Sequence, residues 1–131
     1  MKKLLLFLFT LMLSANSYSE WTLFDIDLTT ESAVYIEKNT IKKDNNYVYY
    51  WELMDFWEPI SFTEDMMSVK VQRQVNCNNM KHQNLSMTYY KREMGMGNSR
   101  FIKPAMGWST SSSEIGMGIK YFVCEYASSL P

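Results

Sequence analysis

The chain has 131 residues, of which 47% are hydrophobic, and its 13 basic and 14 acidic side chains give a formal net charge of −1. This length and composition fit one globular domain, and no linker, low-complexity block or internal repeat divides the chain. The charge argues against nucleic acid as a partner, because non-specific nucleic-acid binding needs a basic excess or a strong basic stripe.

Residues 1–19 predict a secretory signal peptide. Two lysines precede an apolar run of about ten residues, which is too short to cross a bilayer. Ser17 and Ser19 supply a small-x-small cleavage pattern, which places the predicted start of the mature chain at Glu20. No cysteine lies near this cut, so we expect no lipid and no stable membrane anchor. The predicted domain, residues 20–131, is then periplasmic or secreted and soluble, with a net charge of −3.

Cys77 and Cys124 are the two cysteines of the chain. An even number of cysteines in an exported protein predicts that they form a disulfide with each other. On the chain-entropy model, closing a loop of this length stabilises the fold by roughly 4 kcal/mol. The alternative is a two-thiolate metal site, but structural zinc takes four ligands and His82 is the single further strong candidate.

Alternating patterns predict about six antiparallel strands in meander order. They cover residues 21–28, 33–37, 47–57, 67–76, 85–94 and 99–102. The polar residues 42–46 predict a turn, and Pro59 predicts the end of the third strand, because proline cannot donate to a sheet ladder. Arg73 interrupts the apolar face of the fourth strand, so we expect it near a sheet edge, where it reaches water.

The C-terminal segment changes to a helical period. Ser111 followed by Glu114 predicts a capping box at the start of a helix. One apolar stripe follows at helical spacing. It consists of Ile115, Ile119, Phe122, Val123 and Tyr126. We therefore expect an α+β fold, with a meander sheet of about six strands and a C-terminal helix that packs on one face and is tethered by the disulfide.

The strand predicted over residues 47–57 is apolar on both faces and rich in tyrosine and tryptophan. One helix cannot cover both faces of a sheet. Either loops cover the second face, or a protein partner or a second copy of the chain does. Tyrosine and tryptophan are favoured at binding surfaces, because they give large contact areas at low conformational cost, but we expect loops to cover the second face.

Nothing in the sequence predicts a catalytic, cofactor or metal site. His82 is the sole histidine, and both cysteines are expected to be oxidised. Two methionine motifs, Met80-x-His82 and Met94-x-Met96, are compatible with Cu(I), although methionine is more often a core residue. We therefore expect no enzyme, and we keep a methionine-based copper site as an alternative.

Four basic residues flank the predicted turn at residues 95–98. They are Lys91, Arg92, Arg100 and Lys103, called the basic tip below. A charged hairpin tip commonly serves solubility alone. The functional alternative is a docking patch that steers an acidic protein partner.

Short motifs spread over nearly all of the predicted mature chain match one family pattern. They are Trp21, Tyr35-Ile36-Glu37, Thr40-Ile41-Lys42, Val48, Trp51, Leu53, Asp55, Ser68, Lys70, Cys77, Trp108, Glu114 and Cys124. On these residues the chain resembles the bacterial surface-adhesin E-like domain family.

The resemblance implies an antiparallel sheet with a C-terminal helix held on one face by a disulfide, in agreement with the elements above. It also implies a non-catalytic binding protein that recognises a host matrix or envelope protein. Known adhesins of this type carry a lipid anchor, whereas the predicted cleavage site here has no cysteine. The alternative is a soluble periplasmic accessory factor, either a small enzyme inhibitor or the methionine-based copper binder.

Overall fold

A computed structural model describes residues 20–131. The predicted signal peptide, residues 1–19, lies outside the described residues. The predicted cleavage point after Ser19 is therefore not described either.

The described chain forms an α+β fold of seven strands and one α-helix. The strands are β1 (Thr22–Asp27), β2 (Ser32–Ile36), β3 (Lys42–Asp44), β4 (Tyr47–Ile60), β5 (Met66–Asn76), β6 (Lys81–Tyr90) and β7 (Ser99–Ile102), and the helix is α1 (Glu114–Ser128). All strand pairs are antiparallel, in the order β1-β2-β4-β5-β6-β7. The predicted α+β meander with a C-terminal helix is confirmed.

Strand β3 is the element that the sequence did not predict. It lies within the segment expected to be a turn, and it pairs with β4 through Lys42 opposite Tyr49 and Asp44 opposite Tyr47. Strand β2 pairs with β4 further along, from Glu52 to Phe56, so β2 and β3 lie end to end beside one long strand. All three residues of β3 are exposed, and such a strand leaves no apolar alternation to detect.

The predicted boundaries of two strands were wrong. Strand β4 continues through Pro59 to Ile60, because the pairing with β5 shifts between Asp55 and Ile60 and no ladder bond is required of the proline there. Strand β6 begins at Lys81 and ends at Tyr90, four residues earlier at each end than predicted. The polar side chains of residues 81–84 lie in the sheet and not in a loop.

The core lies between one face of the sheet and helix α1. Direct pairing across β4 and β5 places Val48 opposite Val75 and Glu52 opposite Val71, so these side chains share the face that meets the helix. The predicted stripe of α1 packs into this core, with Ile119 and Val123 buried. The apolar face predicted for β5 is therefore confirmed.

Helix α1 begins two residues later than it would if Ser111 were its N-cap. Ser113 is the N-cap, and its Oγ accepts a hydrogen bond of 3.1 Å from the Gly116 N–H. Glu114 is then the first helical residue and not the third, so the predicted capping box is wrong. Within residues 20–131, no helix combines the length and apolar character needed to cross a membrane.

The predicted disulfide is confirmed. Cys77 follows β5 and Cys124 lies on α1, with a sulfur–sulfur distance of 2.06 Å. A second contact fixes the helix at the same end of the sheet, where the buried Lys120 Nζ donates to the Met80 carbonyl oxygen at 2.8 Å. Because both links join α1 to the β5–β6 turn, the helix cannot leave this face while the disulfide is intact.

Arg73 does not lie at a sheet edge, so the expectation that it reaches water there was wrong. It lies in β5, with β4 and β6 on either side, and its guanidinium forms an ion pair of 3.2 Å with the buried Glu52 carboxylate. Burial raises the pKa of Glu52, while the Arg73 charge and the Tyr50 hydroxyl act in the opposite direction. The ion pair with Glu52, which is distant in the sequence, therefore explains why Arg73 interrupts the apolar face of β5.

Replacing both cysteines, as Cys77→Ala with Cys124→Ala, should lower the free energy of unfolding by about 2–4 kcal/mol, because the unfolded chain regains the entropy of a 47-residue loop. Urea unfolding of the oxidised protein and of the double variant measures this difference. Reduction of the unaltered protein is the matched control and should give a loss of the same size. Equal stability of the oxidised protein and the double variant contradicts the expectation.

Candidate functional site

The sheet face opposite helix α1, called the second face below, carries a row of aromatic side chains from β4. Tyr47, Tyr49, Trp51 and Leu53 alternate along this face, and Leu53 is completely buried. Hydrogen bonds connect the row across three strands: the Gln74 amide donates to the Tyr49 hydroxyl at 2.9 Å, and the Gln83 amide donates to Gln74 at 2.6 Å. The second face is thus an ordered surface of aromatic and amide groups.

Short segments cover the two ends of the second face. At one end Trp108 stacks on Tyr47, with ring centroids 5.6 Å apart. At the other end the turn Glu93–Gly95 folds onto the sheet, where the Met94 N–H donates to Asp55 and Ser68 Oγ donates to the Arg92 carbonyl oxygen. Among the described residues, no segment of this kind covers the middle of the face. The expectation that loops cover this face holds for its ends alone.

A cleft of about 240 Å³ lies in this uncovered middle and is called the aromatic cleft below. Its walls carry the rings of Trp21, Trp51 and Tyr90. Its polar groups are Glu37, Thr40, Thr88 and Lys70. Aromatic walls with a few placed polar groups are typical of a binding site for a small ligand.

The residues of the aromatic cleft were not singled out as a site from the sequence. They come from the segment before β1, the turn after β2, and strands β4, β5 and β6, so only the folded sheet brings them together. One signal was available. Five of the residues that carry the family resemblance line this cleft: Trp21, Glu37, Thr40, Trp51 and Lys70.

The basic tip is exposed, but acidic groups neutralise part of it. Lys91 Nζ donates to the Glu64 carbonyl oxygen at 2.7 Å, and Arg100 forms an ion pair of 3.2 Å with the Glu64 carboxylate. Arg92 forms an ion pair of 3.5 Å with its neighbour Glu93. The fold thus brings Lys91 and Arg100 to the β4–β5 connection, with a weaker local positive field than the number of basic residues predicts. Lys103 follows β7 at the end of that strand away from the turn, so the four basic residues do not form one cluster.

The two methionine motifs lie on opposite faces of the sheet. Met80 packs against the core beneath α1, whereas Met94 belongs to the turn that covers the second face. Within the described residues, no three histidine, cysteine or acidic side chains form a group that could hold a metal ion. A copper site that combines both methionine motifs is therefore not formed in this fold.

His82 lies on the core face of β6, opposite Val75. Burial lowers the pKa of His82 to about 4, and the nearby positive charges of Lys120 and Arg73 act in the same direction. The imidazole is therefore neutral at physiological pH and contributes to the packing beneath the helix.

Comparison with known proteins identifies the family. The model of the surface-adhesin protein E family matches residues 21–125, which is most of the chain. The chain belongs to the surface-adhesin protein E family. This match spans every strand and most of the helix of the described fold. No curated protein matches the sequence.

Solved structures of Haemophilus influenzae protein E share the family fold. A second crystal form of that protein aligns with a TM-score of 0.62 at 14% identity, covering 82% of this chain and 98% of the other. The crystal structure of protein E from non-typeable Haemophilus influenzae aligns with a TM-score of 0.61 at 15% identity, covering 87% of this chain and 82% of the other. At such low identity the likeness concerns the fold alone.

Replacing His82, as His82→Gln, should flatten the dependence of stability on pH. Between about pH 6.5 and about pH 4 the unfolded chain binds a proton at this imidazole that the folded protein does not bind, so stability falls as the pH falls through this range. Urea midpoints at about pH 7 and about pH 4.5 should therefore differ less in the variant than in the unaltered protein. Titration of Glu52 and the other carboxyl groups is common to both proteins and cancels in the comparison. An equal pH effect in both contradicts the assignment.

Proposed function

We propose that this protein is an exported, non-catalytic binding protein that recognises a host matrix or envelope protein through the second face. The observation that carries the proposal is the exposure of large apolar side chains around a face whose centre is aromatic. Leu23 and Phe101 lie on this face and are 51% and 62% exposed, and Trp108 at its end is 42% exposed. Membership of a surface-adhesin family supports the same conclusion.

The residue composition typical of protein interfaces favours the second face as the binding surface over the face that helix α1 covers. Interfaces are enriched in tyrosine, tryptophan and arginine, and their centres are apolar with a polar rim. The second face has aromatic rings at its centre and glutamine amides within it. Lys91 and Arg92 of the basic tip follow Tyr90 at the end of β6, whereas Arg100 is opposite Tyr89 and therefore on the helix side of β7. Charged groups at a rim mainly increase the rate of encounter and do less for the lifetime of a complex.

A soluble periplasmic accessory role, such as inhibition of an enzyme, is the competing function. Cell fractionation separates the two: material on the cell surface or in the medium supports adhesion, and confinement to the periplasm supports the accessory role.

Replacing the basic tip by serine at all four positions should slow binding to immobilised basement-membrane matrix at low salt. The difference should shrink above about 0.15 M ionic strength, where the screening length is roughly 8 Å, and dissociation should change less. The initial association rate in biolayer interferometry measures the effect. The matched control changes four exposed lysines away from the tip, Lys38, Lys42, Lys43 and Lys81. Equal rates for the two variants at low salt would remove the basic tip from the proposal.

We also propose that signal peptidase removes residues 1–19, so that the mature chain begins at Glu20 without a lipid. N-terminal mass spectrometry of the exported protein should give a first peptide that starts with Glu20-Trp21. An acyl mass, or an uncut N-terminus on the exported protein, contradicts this proposal. Substitution of Ser19 by a bulky residue such as Trp should slow the cleavage, because the enzyme requires a small side chain there.

A further inference from the structure

Lys70 presents its charge inside the aromatic cleft to two aromatic rings. Its Nζ lies 5.6 Å from the centre of the Trp21 ring and 5.1 Å from the centre of the Tyr90 ring. None of the ion pairs among residues 20–131 includes Lys70. The rings stabilise the ammonium without neutralising it. The cleft therefore holds a positive charge that is available to an anionic group.

The Lys70 side chain is held in place before any ligand arrives. Gly95, in the turn that covers one end of the second face, has a φ of +69°, and a Cβ built there would lie 2.5 Å from Lys70 Cε. The Gly95 N–H donates to Ser68 Oγ at 2.9 Å, which fixes the turn against the sheet. Because the turn and the two rings restrict the lysine, binding at its Nζ loses little conformational entropy.

The remaining groups of the cleft suit a ring that carries hydroxyl groups. Thr40 is already engaged, since its hydroxyl donates to the Glu37 carbonyl oxygen and accepts from the Trp51 N–H. Within the described residues, the Thr88 hydroxyl and the Glu37 carboxylate form no hydrogen bond, so both can bind hydroxyl groups of a ligand. The volume of about 240 Å³ is below the roughly 300–1,000 Å³ of pockets for drug-sized ligands, which limits the occupant to about one ring.

We propose that the aromatic cleft binds one carboxylate-bearing sugar ring, with its carboxylate on Lys70, its apolar C–H face on a tryptophan ring and its hydroxyl groups on Thr88 and Glu37. A neutral sugar leaves Lys70 without a counter-charge. An acidic peptide side chain supplies the carboxylate but no hydroxyl groups for Glu37. This chemistry occurs in hexuronic acids of glycosaminoglycans and in sialic acids of glycoproteins. The site does not depend on the proposed protein-binding function.

Nuclear magnetic resonance of the exported protein, labelled with ¹⁵N in tryptophan, tests the proposal directly. The chain has four tryptophans, two of which line the cleft, Trp21 and Trp51. Titration with methyl β-D-glucuronide or with the methyl glycoside of N-acetylneuraminic acid should shift the indole signals of these two and leave Trp57 and Trp108 unchanged. We expect a Kd of about 1 mM for at least one of the two sugars, a size typical of a single small ring. The sugar that binds identifies the source of the carboxylate.

Variants of Lys70 separate its charge from its packing. Lys70→Met keeps the aliphatic stem beside Gly95 and should weaken binding by about ten-fold, whereas Lys70→Arg should retain most of it. Lys43→Met, in the exposed strand β3, is the matched control and should bind as the unaltered protein does. Methyl β-D-glucoside and acetate are the ligand controls and should not shift the cleft signals. Three results each overturn the proposal: no shift with either acidic sugar, equal binding of the neutral sugar, or unaltered affinity of Lys70→Met.

Discussion

The central strand β4 has apolar side chains on both of its faces, and the rest of the chain is arranged to cover them. Val48 and Tyr50 face helix α1, while Leu53 faces the opposite side, and all three are buried. Burial of each large apolar side chain stabilises the fold by roughly 1.5–3 kcal/mol, so covering these side chains on both faces favours the folded state. One helix covers one face. Short segments around Trp108 and Gly95 cover the ends of the other, and the aromatic cleft lies between them.

A buried ion pair lies near the N-terminus of helix α1 and restricts how β4 pairs with β5. Glu52 and Arg73 form this pair near a cavity of about 260 Å³ that opens beside the N-terminus of α1. Such pairs add little net stability, since desolvation of the two charges offsets their attraction. Separating them is different, because an unpaired buried charge costs about 3–5 kcal/mol. Arrangements of β4 and β5 that part Glu52 from Arg73 are therefore disfavoured.

Local patterns predicted those parts of the fold whose residues face a single environment. The alternation of Val69, Val71 and Val75 identified the buried face of β5, and two cysteines in a chain predicted to be exported indicated the link between sheet and helix. Features that depend on distant partners were not predictable in this way. Arg73 was placed at an edge because its partner Glu52 lies 21 residues away, and the same limit applies to the cleft around Lys70. Strand β3 was not predicted for another reason. All of its residues are exposed, and its pairing with β4 alone holds it in the sheet.

The relation between framework and surface determines what this fold can recognise. A chain with 14–15% identity to Haemophilus influenzae protein E retains its fold, so the sheet, the helix and their contact tolerate wide changes in sequence. The proposed recognition would then reside in side chains that the framework positions. Trp21 is a side chain of this kind whose surroundings would depend on where the predicted signal peptide is cut. It precedes β1, packs over Lys70 in β5, and would be the second residue of a chain cut after Ser19. Under the proposed cleavage, a leader or lipid retained at that point would lie within two residues of the cleft wall, so the position of the cut would govern access to the cleft.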